Sequence, residues 1–240
     1  MRLVPGWQKP NGNHVFGVEI TLAPGWKTYW RAPGGNGIPP HFDWTGSTNV
    51  QKARISWPSP QVFDSYGFRT VGYTEHVVFP VEVVPNDPKQ PVSMALDLFF
   101  GVCEEVCIPA NAQSQLALTA GDDATKNMIN AALTAQVDTA SQAGVTSLKC
   151  TIRPNASGFD LAVEMRLSAD LGATPYAVIE TGSDTLIASP TQASASGGVV
   201  RLATAATFYG SDAMVIDRSA LRITLFGKNK SVELSGCPAS

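Results

Sequence analysis

SMALDLFFGVCEEVCIPANAQSQLALT, residues 93–119, sets one strand before a pair of cysteines and another strand after it. Residues 93–101 read as a strand that runs directly into Cys103, and residues 113–119 as a strand leaving Cys107. No helix signal follows the second cysteine. Ile108-Pro109 predicts an extended exit instead, because proline fixes φ and removes a donor that a helix would need. The pair therefore belongs on a β-hairpin.

Working outward, the same grammar recurs. HVFGVEITL (14–22) alternates as a strand and enters the turn Ala23-Pro24-Gly25, and KARISW (52–57) and VVFPVEVV (77–84) read as further strands. Between them, WKTYWRAPGGNGIPPHFDW (26–44) and QVFDSYGFRTVGY (61–73) read as irregular loops dense in glycine, proline and aromatics. In DDATKNMINAALTAQVD (122–138) the periodicity changes: Met128, Ile129, Ala132, Leu133 and Val137 recur at helical spacing, and Asp122 or Asp123 can cap the start. TASQAGVTS follows as a polar linker. Strands then return as TSLKCTIR, GFDLAVEMR, PYAVIET, GGVVRLATA, ALRITLFG and KSVELSG, at the spacing of a β-sandwich. The expected fold class is all-β, with two sandwich domains (1–120 and 146–240) joined by a helix and linker at 121–145.

Composition narrows function by exclusion. A net charge of −3 and the lack of any Lys/Arg run argue against nucleic acid as a partner. No apolar stretch approaches the roughly 18 residues needed to span a bilayer. MRLVPGWQKP passes straight into polar, turn-forming sequence without a leader pattern. That fits either a cytosolic protein or a segment separated from its targeting and membrane parts. GxSxG, HExxH and a glycine-rich phosphate loop are all missing, so hydrolase and nucleotide chemistry fit poorly.

The cysteines choose between the compartments. Four occur, at 103, 107, 150 and 237, and an even number suits pairing in an oxidising compartment. Of three connectivities the simplest is Cys103–Cys107 with Cys150–Cys237. The second bridge would close a long loop and act as a structural staple worth about 4–5 kcal/mol in the loop-entropy model. The first closes a short ring and contributes little entropy, which suits a labile, redox-active pair. An inert local staple and a metal site are the other readings of Cys103 and Cys107. Glu104 and Glu105 inside the ring disfavour a thiolate, so the dithiol should have an ordinary or raised pKa and depend on a protein partner.

Other candidates are weaker. Cu(I) could sit on two soft thiolates, but the spacing lacks the paired Cys or His of structural zinc, and His14, His41 and His76 are scattered. A recognition module could use Trp26, Tyr29, Trp30 and Trp44 as a binding face, with Arg31 stacked within it, although buried packing suits those aromatics better.

GWKTYWRAPGGNGIPPHFDW, FDSYGF, GVCEEVCIPA and DRSALRITLFGKNKSVELSGCP together resemble the N-terminal periplasmic region of the DsbD-like membrane reductases, in particular their ScsB (suppressor of copper sensitivity) branch. The resemblance implies an immunoglobulin-like redox domain that needs no cofactor and works in the periplasm. It would take electrons from a membrane domain, absent here, through a thioredoxin-like domain of the same polypeptide. It would pass them to thioredoxin-fold partners of the ScsC or DsbC kind. It also implies that Cys107 forms the mixed disulfide, that Cys103 resolves it, and that a cap loop carrying Asp64, Tyr66 and Phe68 shields the pair, with Pro109 beside it. DsbD itself has five residues between its cysteines; this chain has three, as in the ScsB branch.

Overall fold

The structure, a computed structural model, describes residues 1–35, 37–65, 68–211, 214–228 and 230–238, with the side chains of Ser65 and Phe68 outside that description. The chain divides into two compact units, Met1–Gln136 and Val137–Ser240. The fold is all-β, with one helix among the described residues.

The first unit begins with strand β1 (Arg2–Gln8), β2 (His14–Thr21), β3 (Lys27–Tyr29), β4 (His41–Asp43) and β5 (Val50–Ile55). It continues with β6 (Gln61–Ser65), β7 (Phe68–Thr74), β8 (His76–Pro85), β9 (Ser93–Cys103), β10 (Cys107–Ala117) and helix α1 (Asp123–Thr134). One sheet has the order β1-β2-β8-β5, and the other β10-β9-β3-β7-β6 with β4 on β9. The two sheets meet through a ring cluster around Phe79 of β8. Phe42, Trp57 and Tyr73 stand edge-on to it at 5.8, 5.1 and 5.3 Å. Period-2 alternation explains the long strands: Met94, Leu96, Leu98 and Phe100 of β9 are all buried on one face.

Three expectations change here. Residues 61–73 form the β6–β7 hairpin rather than an irregular loop, since Gln61–Phe63 pair with Thr70–Gly72 and supply backbone partners that composition does not reveal. Likewise Arg2–Gln8 is a strand against β2, with Val4 fully inside. The segment 121–145, expected to connect two domains, is divided between the units. Asp122 caps α1 by accepting from Thr125 N–H at 2.8 Å, and Ile129 packs with Val4, Val15 and Val78 as part of the first unit's core. Val137 lies beyond the helix, which ends at Thr134.

The second unit comprises β11 (Asp138–Thr139), β12 (Val145–Pro154), β13 (Gly158–Leu167), β14 (Tyr176–Glu180), β15 (Leu186–Ala188), β16 (Gln192–Ser196), β17 (Val199–Phe208), β18 (Arg222–Phe226) and β19 (Ser231–Ser235). Sheet β11-β19-β18-β14 packs on sheet β12-β13-β17-β15, in which β16 also pairs with β17. A single core joins Val163 and Met165 of one sheet to Ile223, Leu225 and Val232 of the other. Cys150 on β12 bonds to Cys237, two residues past β19, so the bridge ties one sheet to the chain leaving the other.

Candidate functional site

Strands β9 and β10 pair without a slip from Ser93–Ala117 up to Cys103–Cys107, leaving Glu104, Glu105 and Val106 to close the hairpin. Being opposite in register, the two cysteines have Cα atoms 4.1 Å apart and form a disulfide. Their exposure differs. Cys103 is buried at 3%, whereas Cys107 and the residues Glu104–Val106 are open to solvent. The asymmetry follows from the sheet order. Cys103 lies on β9, covered by β3 on one side and β10 on the other, while Cys107 starts the last strand of that sheet. Pro109 sits on β10 opposite Gly101, where a strand without one N–H is tolerated because the sheet ends there. An attacking group can reach Cys107 and not Cys103.

Beneath the exposed sulfur lies Tyr29, whose hydroxyl is 2.8 Å from Cys107 Sγ. Its ring is 2% exposed and wedged between two glycines: a Cβ on Gly101 would fall 2.8 Å from the ring, and one on Gly37 would fall 2.9 Å from it. Burial pushes the phenol up from its ordinary pKa, so it stays protonated and able to donate. In the sequence Tyr29 stands out only as one aromatic of a dense segment and a member of a candidate binding face, not as a neighbour of the cysteines. The signal that would have singled it out is Gly101 two residues before Cys103, since a bare backbone there leaves room for a ring.

On the other side of Cys103 runs β3, with Lys27 directly opposite Cys103 and, on its far edge, opposite Thr74. The Lys27 ammonium stands 5.5 Å from the centre of the Phe63 ring on β6. This contact ties the β6–β7 hairpin to the residue beside the disulfide. Asp64 on that hairpin pairs with Arg69 at 3.1 Å. Phe68 opens β7 with its side chain outside the described set, and Tyr66 lies outside the described residues. Glu104 lies near the preceding turn, with one carboxylate oxygen 3.4 Å from where a Cβ of Gly25 would be.

The remaining candidates disperse. Tyr29 and Trp30 are buried, Arg31 stacks on Trp30 at 4.1 Å, and Trp44 packs inward on Phe16 and Phe42. These aromatics therefore do not form a common binding face. His14 is partly buried, which lowers its pKa; His76 bonds Glu19 at 2.9 Å; His41 is exposed on β4. Among the described residues no group of three or more His, Cys, Asp or Glu side chains could hold a metal ion. No helix among them is long and apolar enough to cross a membrane.

Comparison with known proteins gives two matches. Residues 1–119 match the family "Thiol:disulfide interchange protein DsbD, N-terminal". The crystal structure of the N-terminal periplasmic domain of ScsB from Proteus mirabilis superposes with a TM-score of 0.72 at 24% identity, covering 97% of this chain and 91% of that one. No curated protein sequence matches significantly. The structural likeness extends the fold to the second unit, and the family match covers the unit that carries the hairpin. Residues 1–119 therefore belong to the DsbD N-terminal family, and the Cys103–Cys107 hairpin lies within a thiol–disulfide exchange module.

Proposed function

We propose that this chain is the periplasmic exchange module of a membrane reductase, and that it passes electron pairs through Cys103 and Cys107 to thioredoxin-fold proteins. The observation that carries the reading is the unequal exposure of two bonded sulfurs, with Cys107 open and Cys103 buried at 3%. In the reduced protein the Cys107 thiolate attacks a partner disulfide, and the partner's leaving sulfur departs as a thiolate. Cys103 then attacks Cys107 Sγ, restoring the internal disulfide and releasing the partner's second sulfur. Two electrons have moved to the partner, and protons follow to its two thiols. Recharging reverses the sequence. A thiolate of the thioredoxin-like domain of the same full-length reductase attacks Cys107 Sγ, and Cys103 leaves.

Tyr29 supports the same assignment, because a protonated phenol 2.8 Å from Cys107 Sγ can donate to the thiolate on that sulfur. Cys150–Cys237 has both sulfurs buried, at 0% and 1%, and acts as a structural staple. The β6–β7 hairpin, which carries Asp64 and whose Phe63 ring meets Lys27 beside Cys103, is on this reading the shield of the pair.

The test is trapping. Cys103→Ser, reduced and mixed with an oxidised thioredoxin-fold protein, should accumulate a mixed disulfide through Cys107, while Cys107→Ser should accumulate none. Trapping by Cys107→Ser instead, or no exchange by the intact pair, overturns the proposal.

A further inference from the structure

The exchange cycle demands something of Cys103 that the hairpin does not supply. In one direction Cys103 must attack as a thiolate; in the other it must leave as one. Either way a negative charge appears on a sulfur that is buried at 3% and poorly hydrated. The acidic residues nearest in the chain, Glu104 and Glu105, work against that charge, and Glu75, which follows Thr74, has the same sign. The phenol of Tyr29 is placed on the other sulfur.

One cation stands in register. Lys27 is directly opposite Cys103 across β3 and β9, a pairing that puts the two Cβ atoms about 5 Å apart on the same face of the sheet. Its ammonium rests on the Phe63 ring at 5.5 Å. Resting on an aromatic face leaves a cation charged, and the side chain is long enough to swing from Phe63 toward the neighbouring Cys103 when charge develops there. We infer that Lys27 is a positioning residue that supplies the counter-charge to the Cys103 thiolate in both directions of exchange. This inference rests on the function proposed above and gives the buried sulfur its chemistry. By microscopic reversibility, one lysine lowers the barrier to resolution and the barrier to leaving.

The test reads Cys103 alone. In a Cys107→Ser background Cys103 is the one remaining free thiol, because Cys150 and Cys237 are bonded to each other. Its titration can be followed by thiolate absorbance in the ultraviolet. Lys27→Met should raise the Cys103 pKa by about 1 unit or more, and Lys27→Arg should restore it. With the pair intact, Lys27→Met should slow resolution of a preformed mixed disulfide roughly threefold at neutral pH, because the smaller thiolate fraction is partly offset by its higher nucleophilicity. Added salt should narrow the gap to wild type little, since the site is partly buried. A Cys103 pKa unchanged by Lys27→Met in folded protein overturns the inference. That outcome leaves the exchange function standing if Cys103→Ser still traps a partner; loss of trapping would instead remove the function itself.

Discussion

Graded reduction should open the two bridges of this protein at well-separated points and with unequal consequences. Cys107 is exposed, so a small dithiol can attack the short bridge directly, whereas both sulfurs of the long bridge are buried and become accessible only when the second unit opens. The stability at stake differs too. A sequence separation of 87 gives a loop-closure contribution of about 4.6 kcal/mol to the second unit. A separation of 4 gives about 2 kcal/mol to the first. The difference, about 2.5 kcal/mol, is roughly a 70-fold larger shift in the unfolding equilibrium when the long bridge is cut. The assay titrates oxidised protein with dithiothreitol, quenches with a maleimide, and maps the labelled cysteines by mass. Label should reach Cys107 in still-folded protein, and Cys103 as well once the quenched sample is unfolded in excess maleimide, whereas Cys150 and Cys237 should take label only when denaturant or much stronger reduction is used during the titration. Paired Cys150→Ala and Cys237→Ala substitutions should destabilise the second unit by the larger amount. If all four thiols appear together in folded protein, or if the short bridge outlasts the long one, the division into a working pair and a staple is wrong.

Tyr29→Phe should leave the fold intact but remove the donor at Cys107. A bond to a charged sulfur worth about 1.5 kcal/mol translates into a roughly tenfold smaller Cys107 thiolate fraction near neutral pH, read as a raised pKa in the pH dependence of alkylation in a Cys103→Ser background; an unchanged pH profile removes the donor role. Ile129→Ala tests whether the helix belongs to the first unit's core: a fully buried Ile in contact with Val4, Val15 and Val78 should be worth about 2–5 kcal/mol in denaturant unfolding, and a negligible loss would make α1 a mere connector. Glu19 predicts an acid dependence. Burial opposes its ionisation, but bonds from Arg2 and His76 outweigh that and hold its pKa below the usual carboxylate value. Because the folded pKa is the lower one, the unfolded chain takes up the proton first; the stabilisation is present above the ordinary carboxylate range and is lost as pH falls through the folded value. Unfolding free energies across the acid range should therefore show a shallower acid slope for Glu19→Gln, and an equal slope would exclude the carboxylate.

The strands with clean alternation were legible in advance, as in β9 and β13, because one buried face imposes a period of two on the residue types. The N-cap of α1 and its core-facing Ile129 were equally legible, since helix starts and apolar spacing are local signals. The β6–β7 hairpin was not. Its glycines and aromatics look like a loop until β3 is seen to pair with Gly72 and Thr74. The N-terminal strand β1 escaped for a similar reason: a short run broken by Pro5 and Gly6 becomes a strand only when β2 provides its partner.

At the site the chain by itself determined which atoms carry the chemistry: two cysteines with three residues between them, and a proline-stiffened exit that excludes a helix. Pairing of near neighbours is a local matter, and so is the choice of an extended backbone. Tertiary structure decided which sulfur faces solvent, that Tyr29 lies under one of them, and that Lys27 stands opposite the other. Those facts depend on the order of strands in a sheet, which brings together residues more than seventy positions apart. Long-range pairing of that kind has no periodicity to betray it in the sequence.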